Sequence, residues 1–355
     1  MSTTFRIFTR PIAVRAAVLV ACASVVASAA YRWSDDLVEG IAHAQTAPPT
    51  NAQMLAGFDA DAMSTFVDDI TSCPGIPPGG LSGLFKDRFY FLSEIGCENL
   101  PCFLKEVKNS EHANATLIVD EECDVYEPIQ IPARFTLAGV GPAGQGVLAF
   151  WNLPDHAPAL SVEPVLPSGV SENVIRDLWI VRGSGGTWNS GINVSGGNIV
   201  RLENVRVSGF AVGLFGKDAY SVLVDKSTFY GNAFNMMLHR GANHWRVRDS
   251  TLGLATFYSV KVFGPSDGPG AWNNDHLFSG NRFEGSLVGA MMLGSYATMV
   301  ENNRFESNGY NGVYITGSAT ETRVHSNVFS SDVVNNQSLG TRCGFNIPNS
   351  ACPDN

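Results

Sequence analysis

The chain has 355 residues, 45% of them hydrophobic, and a formal net charge of -10, which supplies a large core and repels a phosphate backbone. A disordered chain is excluded on that composition, and nucleic acid is not an expected partner.

Arg6, Arg10 and Arg15, with no acidic neighbour, precede the apolar run Ala16 to Ala30, which reads as a secretory signal over residues 1–29. Its loss takes the net charge to -13 (-10 - 3). The run is too short to span a bilayer, and Ala27-Ser28-Ala29 or Ala42-His43-Ala44 offers the cleavage site. The mature chain is therefore expected without a transmembrane span, secreted or periplasmic. Leu19-Val20-Ala21-Cys22 is like a lipoprotein box, but too little apolar sequence precedes it and more follows, so lipid anchoring at Cys22 is disfavoured.

Residues 30–53, with Pro48-Pro49, read as a linker. Residues 54–114 read as a disulfide-tied N-terminal extension ending in a capping helix over Asn99 to His112, with Asn99 as its cap and Pro101 in the first turn. The six cysteines outside the signal form an even set in an exported chain, the mark of disulfides. Local spacing suggests Cys97 with Cys102 and Cys343 with Cys352, leaving Cys73 for Cys123. None has the spacing of a metal site.

From residue 175 onward one short phrase recurs: IRDLWI, LENVRV, VDKSTF, VRDSTL, FSGNRF, VENNRF and VHSNVF. Its final apolar positions, 180, 207, 229, 252, 283, 305 and 329, recur every 22 to 31 residues. Each phrase is apolar at its ends and small or polar in the middle, as two strands meeting at a bend require. One column in the bend runs Ser227, Ser250, Asn281, Asn303, Asn327, side chains that can hydrogen-bond from coil to coil. A third apolar segment follows each variable loop, including Ile192–Val194, Met236–Leu238, Val260–Val262, Met291–Leu293 and Val313–Ile315. Alternation turns their middle residues outward, namely Asn193, Met237, Lys261, Met292 and Tyr314.

These phrases and their asparagine column resemble the pectate-lyase-like, right-handed parallel β-helix superfamily. The resemblance implies an all-β fold with three strands per coil over residues 115–347, the short N-terminal helix as its cap, and a tail at residues 348–355. It also implies ligands along the outer face of the third strand, between the loops that flank it. Two inserts stand there, Arg182 to Ser190 and Gly264 to Asp275. Each carries a tryptophan followed by an asparagine, Trp188-Asn189 and Trp272-Asn273, the pairing of aromatic face and amide that binds sugar. The bland alternative is that each tryptophan folds down to anchor its own loop.

Lys261 is the candidate base because it projects from a strand, provided that its pKa is depressed. His239 and Arg240 on the preceding coil leave the strand within reach of Lys261 and complete the candidate catalytic group, since a proton abstractor beside an arginine that neutralises a uronate carboxylate is what β-elimination calls for. Asp267 and Asp275 could bind Ca2+ or serve hydrolysis, though neither sits in a recognisable motif. The arginines Arg206, Arg282 and Arg304 with interspersed acids read as structural rows paired between coils. Two functions remain open. One is a polysaccharide lyase, with epimerase or glycoside hydrolase as variants, acting on a uronate-containing glycan. The fold resemblance and the two-tryptophan groove put that reading first; the alternative is a non-catalytic glycan-binding or surface structural β-helix, supported by the absence of a recognisable catalytic motif and the apolar Met237 and Met292.

Overall fold

Each repeated phrase folds as two short strands joined through one residue in the left-handed region. Those residues are Asp177, Asn204, Lys226, Asp249, Gly280, Asn302 and Ser326, with φ between 48° and 70°. A single left-handed residue between extended neighbours redirects the chain sharply, and it leaves backbone N–H groups inside the bend to be satisfied. The asparagine column does so. Asn281 Oδ1 accepts from Ser250 N at 3.0 Å, Asn303 Oδ1 from Asn281 N at 2.9 Å, and Asn327 Oδ1 from Asn303 N at 2.9 Å. The ladder runs one rung beyond the phrases, to Asn346, whose Oδ1 accepts from Asn327 N at 3.0 Å.

In the computed structural model the described residues are 63, 89–109, 114–140, 146–162, 172–184, 187–196, 199–263, 273–316, 319–330, 332–336 and 341–347. The expected signal, the linker, Cys22, Trp272, Asp267 and the C-terminal tail lie outside them. Among the described residues no helix is long and apolar enough to cross a membrane.

The strands stack in register into three parallel sheets of eleven, nine and nine strands. The first sheet includes Ile199–Glu203 and Val222–Asp225, the second Arg206–Ser208 and Thr228–Tyr230, and the third Val212–Lys217 and Phe234–His239. Among the described residues nine coils place one strand in each sheet, and Phe89–Phe91 and Arg342–Gly344 extend the first at its two ends, so the expected all-β, three-strand solenoid stands. Inward side chains form one continuous core along the axis, in which Phe283, Phe305 and Phe329 stack face to face at 4.7 and 4.8 Å.

A second ladder lies at the bend between the second and third sheets. Asn232 Oδ1 accepts from Phe210 N at 2.9 Å, Ser286 Oγ from Ala255 N at 3.0 Å, and Asn308 Oδ1 from Ser286 N at 3.2 Å. Asp332 ends it, taking Asn308 N and Nδ2 at 3.1 and 2.6 Å. Burial raises the Asp332 carboxyl above its usual range, and nearby Glu306 adds to the shift.

The N-terminal end is closed by a helix as expected, and residues 110–112 of the expected span lie outside the described residues. The helix is Leu100–Asn109, and Leu100, Phe103, Leu104 and Val107, on one face, join the core. Tyr90 meets Phe103 edge to face at 5.0 Å. Asn99 does not start the helix. It ends a separate turn, Cys97–Asn99, and its amide donates back to Ile95 O at 2.9 Å.

Two of the local disulfide pairings are corrected: Cys97 bonds Cys123, with Cα atoms 5.5 Å apart, so neither Cys97–Cys102 nor Cys73–Cys123 stands, while Cys73 and Cys352 lie outside the described residues. The bond ties the segment before the helix to the first strand of the second sheet, Glu122–Val125, which spacing along the chain does not reveal. Cys102 and Cys343 are also disulfide-bonded.

The ladder sets a first expected result. Asn303 accepts from Asn281 and donates to Phe278 O at 2.8 Å and Asn327 Oδ1 at 3.0 Å, all of it buried. Asn303→Ala should cost about 1 to 3 kcal/mol, since several buried polar groups lose partners together. Asn311→Ala, at the half-buried start of its strand, is the control. Urea midpoints that fall equally for the two variants would deny the column its role.

Candidate functional site

The register of the third sheet defines its outer face. Ser161, Asn193, Phe215, Met237, Lys261, Met291, Tyr314 and Asn335 stand in one column, each the partner of the next. Met291 is thus the outward residue, and the expectation for Met292 is corrected. Ala290 and Met292 pair with Val260 and Val262 and take the inward places. Lys261, Asn193 and Tyr314 lie on the face where alternation put them.

The face is closed over its central coils. Phe215, Met237 and Lys261 are 0% exposed and Met291 1%. Lys261 therefore does not project into an open groove, which corrects the picture of a presented base. Its Nζ lies 5.2 Å from the ring centres of both Tyr258 and Phe263 and 6.0 Å from that of Phe234. Aromatic faces stabilise an ammonium, but they replace water poorly, and burial lowers the Lys261 pKa from 10.5 to about 8. Burial also raises the Tyr258 phenol, with Tyr314 contributing.

One contact shows chain from before the solenoid against this face. Asn193 Nδ2 donates to the carbonyl of Met63 at 3.0 Å, and Met63 is fully buried. Asn193 also accepts from Ser195 Oγ at 2.7 Å, so its amide is engaged within the protein.

The other expected sugar contacts divide. Trp188, in the left-handed region at φ 59°, turns its ring onto Phe234 at 6.2 Å in a stacked arrangement. Asn189 is wholly buried and its Nδ2 donates to Ala157 O at 3.0 Å and to Pro154 O. Asn273 is buried as well, its Oδ1 accepting from Ala242 N at 2.9 Å. Both asparagines hold turns rather than face a ligand, which corrects their assignment to substrate. Tyr314 is half-buried beyond Met291. His239 lies tilted against Phe263 with ring centres 4.3 Å apart at the rim of the face, half-buried, and Arg240 next to it is exposed.

Asp275 is taken up by its own neighbours. Arg246 Nη2 donates to its carboxylate at 2.9 Å, and His244 Nδ1 lies 2.6 Å from the same oxygen. Those bonds hold its carboxyl below the usual range although its partial burial works the other way. Among the described residues no three His, Cys, Asp or Glu side chains are grouped to hold a metal ion.

Residues 169–351 match the model of the right-handed β-helix region. No curated protein matches the chain. Among solved structures it is similar to ORF18 of Geobacillus virus E2, at 13% identity and TM-score 0.55 over 76% of this chain and 63% of that one. It thus spans less than two thirds of the viral protein. It is also similar to the A-module of the Azotobacter vinelandii mannuronan C-5 epimerase AlgE4, at 11% identity and TM-score 0.51 over 72% of this chain and 94% of that one. A third is the DFA-IIIase of Arthrobacter chlorophenolicus A6 in complex with GF2, at 14% identity and TM-score 0.54 over 70% and 71%. At these identities the likeness is one of fold.

Proposed function

The chain belongs to the right-handed β-helix family, and from that premise we propose that it is an exported protein that binds polysaccharide without cleaving it. The observation that carries this reading is the enclosure of Lys261. A general base must come within hydrogen-bond reach of the proton it takes, and the Lys261 side chain is wholly buried beside three aromatic rings, which holds its amine away from a chain lying on the surface. Support for a glycan as the ligand comes from two proteins of like fold, one named for mannuronan and one solved with GF2.

A second reading, a uronate lyase with Lys261 as base, is favoured by one observation. A pKa of about 8 leaves a useful fraction of the amine unprotonated near neutrality, as β-elimination needs. That reading requires the third-sheet face to open.

One experiment addresses both. The mature protein is tested by affinity electrophoresis against a panel of anionic and neutral polysaccharides, with and without Ca2+. The same mixtures are assayed for the ultraviolet absorbance of unsaturated uronates and for new reducing ends. Binding to at least one polysaccharide without either product is the expected result. Appearance of unsaturated uronates transfers the conclusion to the lyase, and no binding and no product sinks both. For export, the protein recovered from the medium or periplasm should have a mass lacking the segment that ends at Ala29 or Ala44.

A further inference from the structure

The outer face of the second sheet carries two neighbouring columns. One runs Trp179, Arg206, Thr228, Thr251, Arg282, Arg304 and the other Val181, Ser208, Tyr230, Gly253, Glu284, Glu306. Toward the C-terminus the columns neutralise each other. Arg282 pairs with Glu284 at 2.7 Å and Glu306 at 2.9 Å, and Arg304 pairs with Glu306. This half agrees with the structural reading of the arginine row.

Arg206 does not. The slots that hold glutamate further along are filled beside it by Val181, Ser208 and Tyr230, so no carboxylate of the row reaches it. Among the described residues this exposed guanidinium forms no ion pair and lies over the ring of Trp179, 5.5 Å from its centre. The indole is fixed in turn, its N–H donating to Ser208 Oγ at 3.2 Å. On the far side Tyr230 is 41% exposed. Gly253 lets that ring lie close along the sheet, because a Cβ there would come within 3.1 Å of two ring atoms. Between the rings is a depression of about 300 Å³, lined also by Thr228 and Thr251.

We infer that this depression binds an acidic sugar of a polysaccharide, one bearing a carboxylate or a sulfate. Aromatic faces take the C–H side of a sugar ring, hydroxyls meet its hydroxyls, and a guanidinium grips a planar acid through two N–H groups. Two features argue against an accidental cation. The chain carries a net charge of -10, so a polyanion is repelled everywhere except at a local basic point. The arginines of the same column at 282 and 304 are provided with acids, whereas 206 is left open over an aromatic platform. The inference rests on the glycan-binding reading and specifies its ligand and its face, which is not the third-sheet face.

The test is isothermal titration of the full mature protein with three probes of matched length: oligogalacturonate, dextran sulfate oligosaccharide and cello-oligosaccharide. Arg206→Gln should lower the affinity for an acidic probe at least tenfold and leave the neutral probe unchanged, and Arg206→Lys should restore part of the loss. Trp179→Ala should weaken binding of the acidic probe as well. Arg304→Gln, in the same column, should bind as the wild type does. The first two probes separate a carboxylate site from a sulfate site. If Arg206→Gln binds the acidic probes undiminished while the wild type binds glycan, the site is elsewhere and only this inference falls. If the wild type binds no glycan, in this titration or in the electrophoresis, the functional reading falls with it. A change of oligomeric state in Arg206→Gln at constant affinity would make the face a contact between copies and overturn the inference too.

Discussion

At about pH 4.5 the His276→Leu protein should be more stable than the wild type by about 3 kcal/mol, with the advantage shrinking steadily toward pH 7. His276 lies inside the solenoid in a column with Trp245, Thr298 and Thr322, one per coil. The backbone bonds Leu277 N to Trp245 O, Met299 N to His276 O and Arg323 N to Thr298 O, each 2.8 Å, fix that stacking. The imidazole is 1% exposed, and among the described residues neither ring nitrogen has a hydrogen-bond partner. Burial, with a smaller contribution from Arg246, lowers its pKa from 6.5 to about 3, against the opposing pull of Asp275. The folded value lies below the unfolded one, so on acidification the unfolded chain takes the proton first. The stability tied to a neutral His276 is complete above pH 6.5 and is lost as the pH falls from there toward 3. Two pH units into that window, at 1.36 kcal/mol each, give the figure above. Leucine has similar bulk and no proton to bind. Urea midpoints measured between pH 8 and pH 4.5 check this, and parallel curves for the two proteins would disprove it.

The fold was legible because its determinants are local and periodic. The ladder residues occupy one slot in each phrase, and the residue before them, Lys226 or Asn302 for example, takes the left-handed bend. The second ladder carried a signal too, since Asn232, Ser286, Asn308 and Asp332 each follow a first-ladder residue by five positions. Ala255 interrupts that series, and the mixture of Asn, Ser and Asp hides it. Outward direction was readable at Lys261 from simple alternation. Burial was not, because it depends on which rings of the same and the neighbouring coil turn over the lysine and on chain from elsewhere lying on the face, as Met63 does at Asn193 across 130 residues. The same distance effect defeated the cysteine pairing, where a spatial neighbour 26 residues on, in the first strand of the second sheet, replaced the neighbour in sequence. Trp179 was visible only as part of a repeated phrase. Its role depends on Arg206 one coil later, a juxtaposition that only register supplies.

Lys261→Met should raise stability at pH 7 by about 2 to 3 kcal/mol and leave glycan affinity where it was. The pKa falls from 10.5 to about 8 on folding, so the buried ammonium costs about 1.36 kcal/mol for each of those units, partly offset by the surrounding rings. The sign is fixed by the same linkage. Between about pH 8 and 10.5 the unfolded chain holds the proton that the folded chain has released, so wild-type stability rises with pH across that window. Methionine abolishes the rise by removing the titrating group. It suits the site, being unbranched like the lysine stem and flanked in its column by Met237 and Met291. Thermal and urea unfolding from pH 7 to 10.5 read the stability, and the polysaccharide panel reads affinity and turnover on the same preparations. A variant less stable than the wild type would mean that the lysine is held by bonds worth more than its desolvation costs. A wild type that releases unsaturated uronates, with the release lost in Lys261→Met at unchanged affinity, would make the enclosed amine a catalytic base after all, because a base acts chiefly in the transition state.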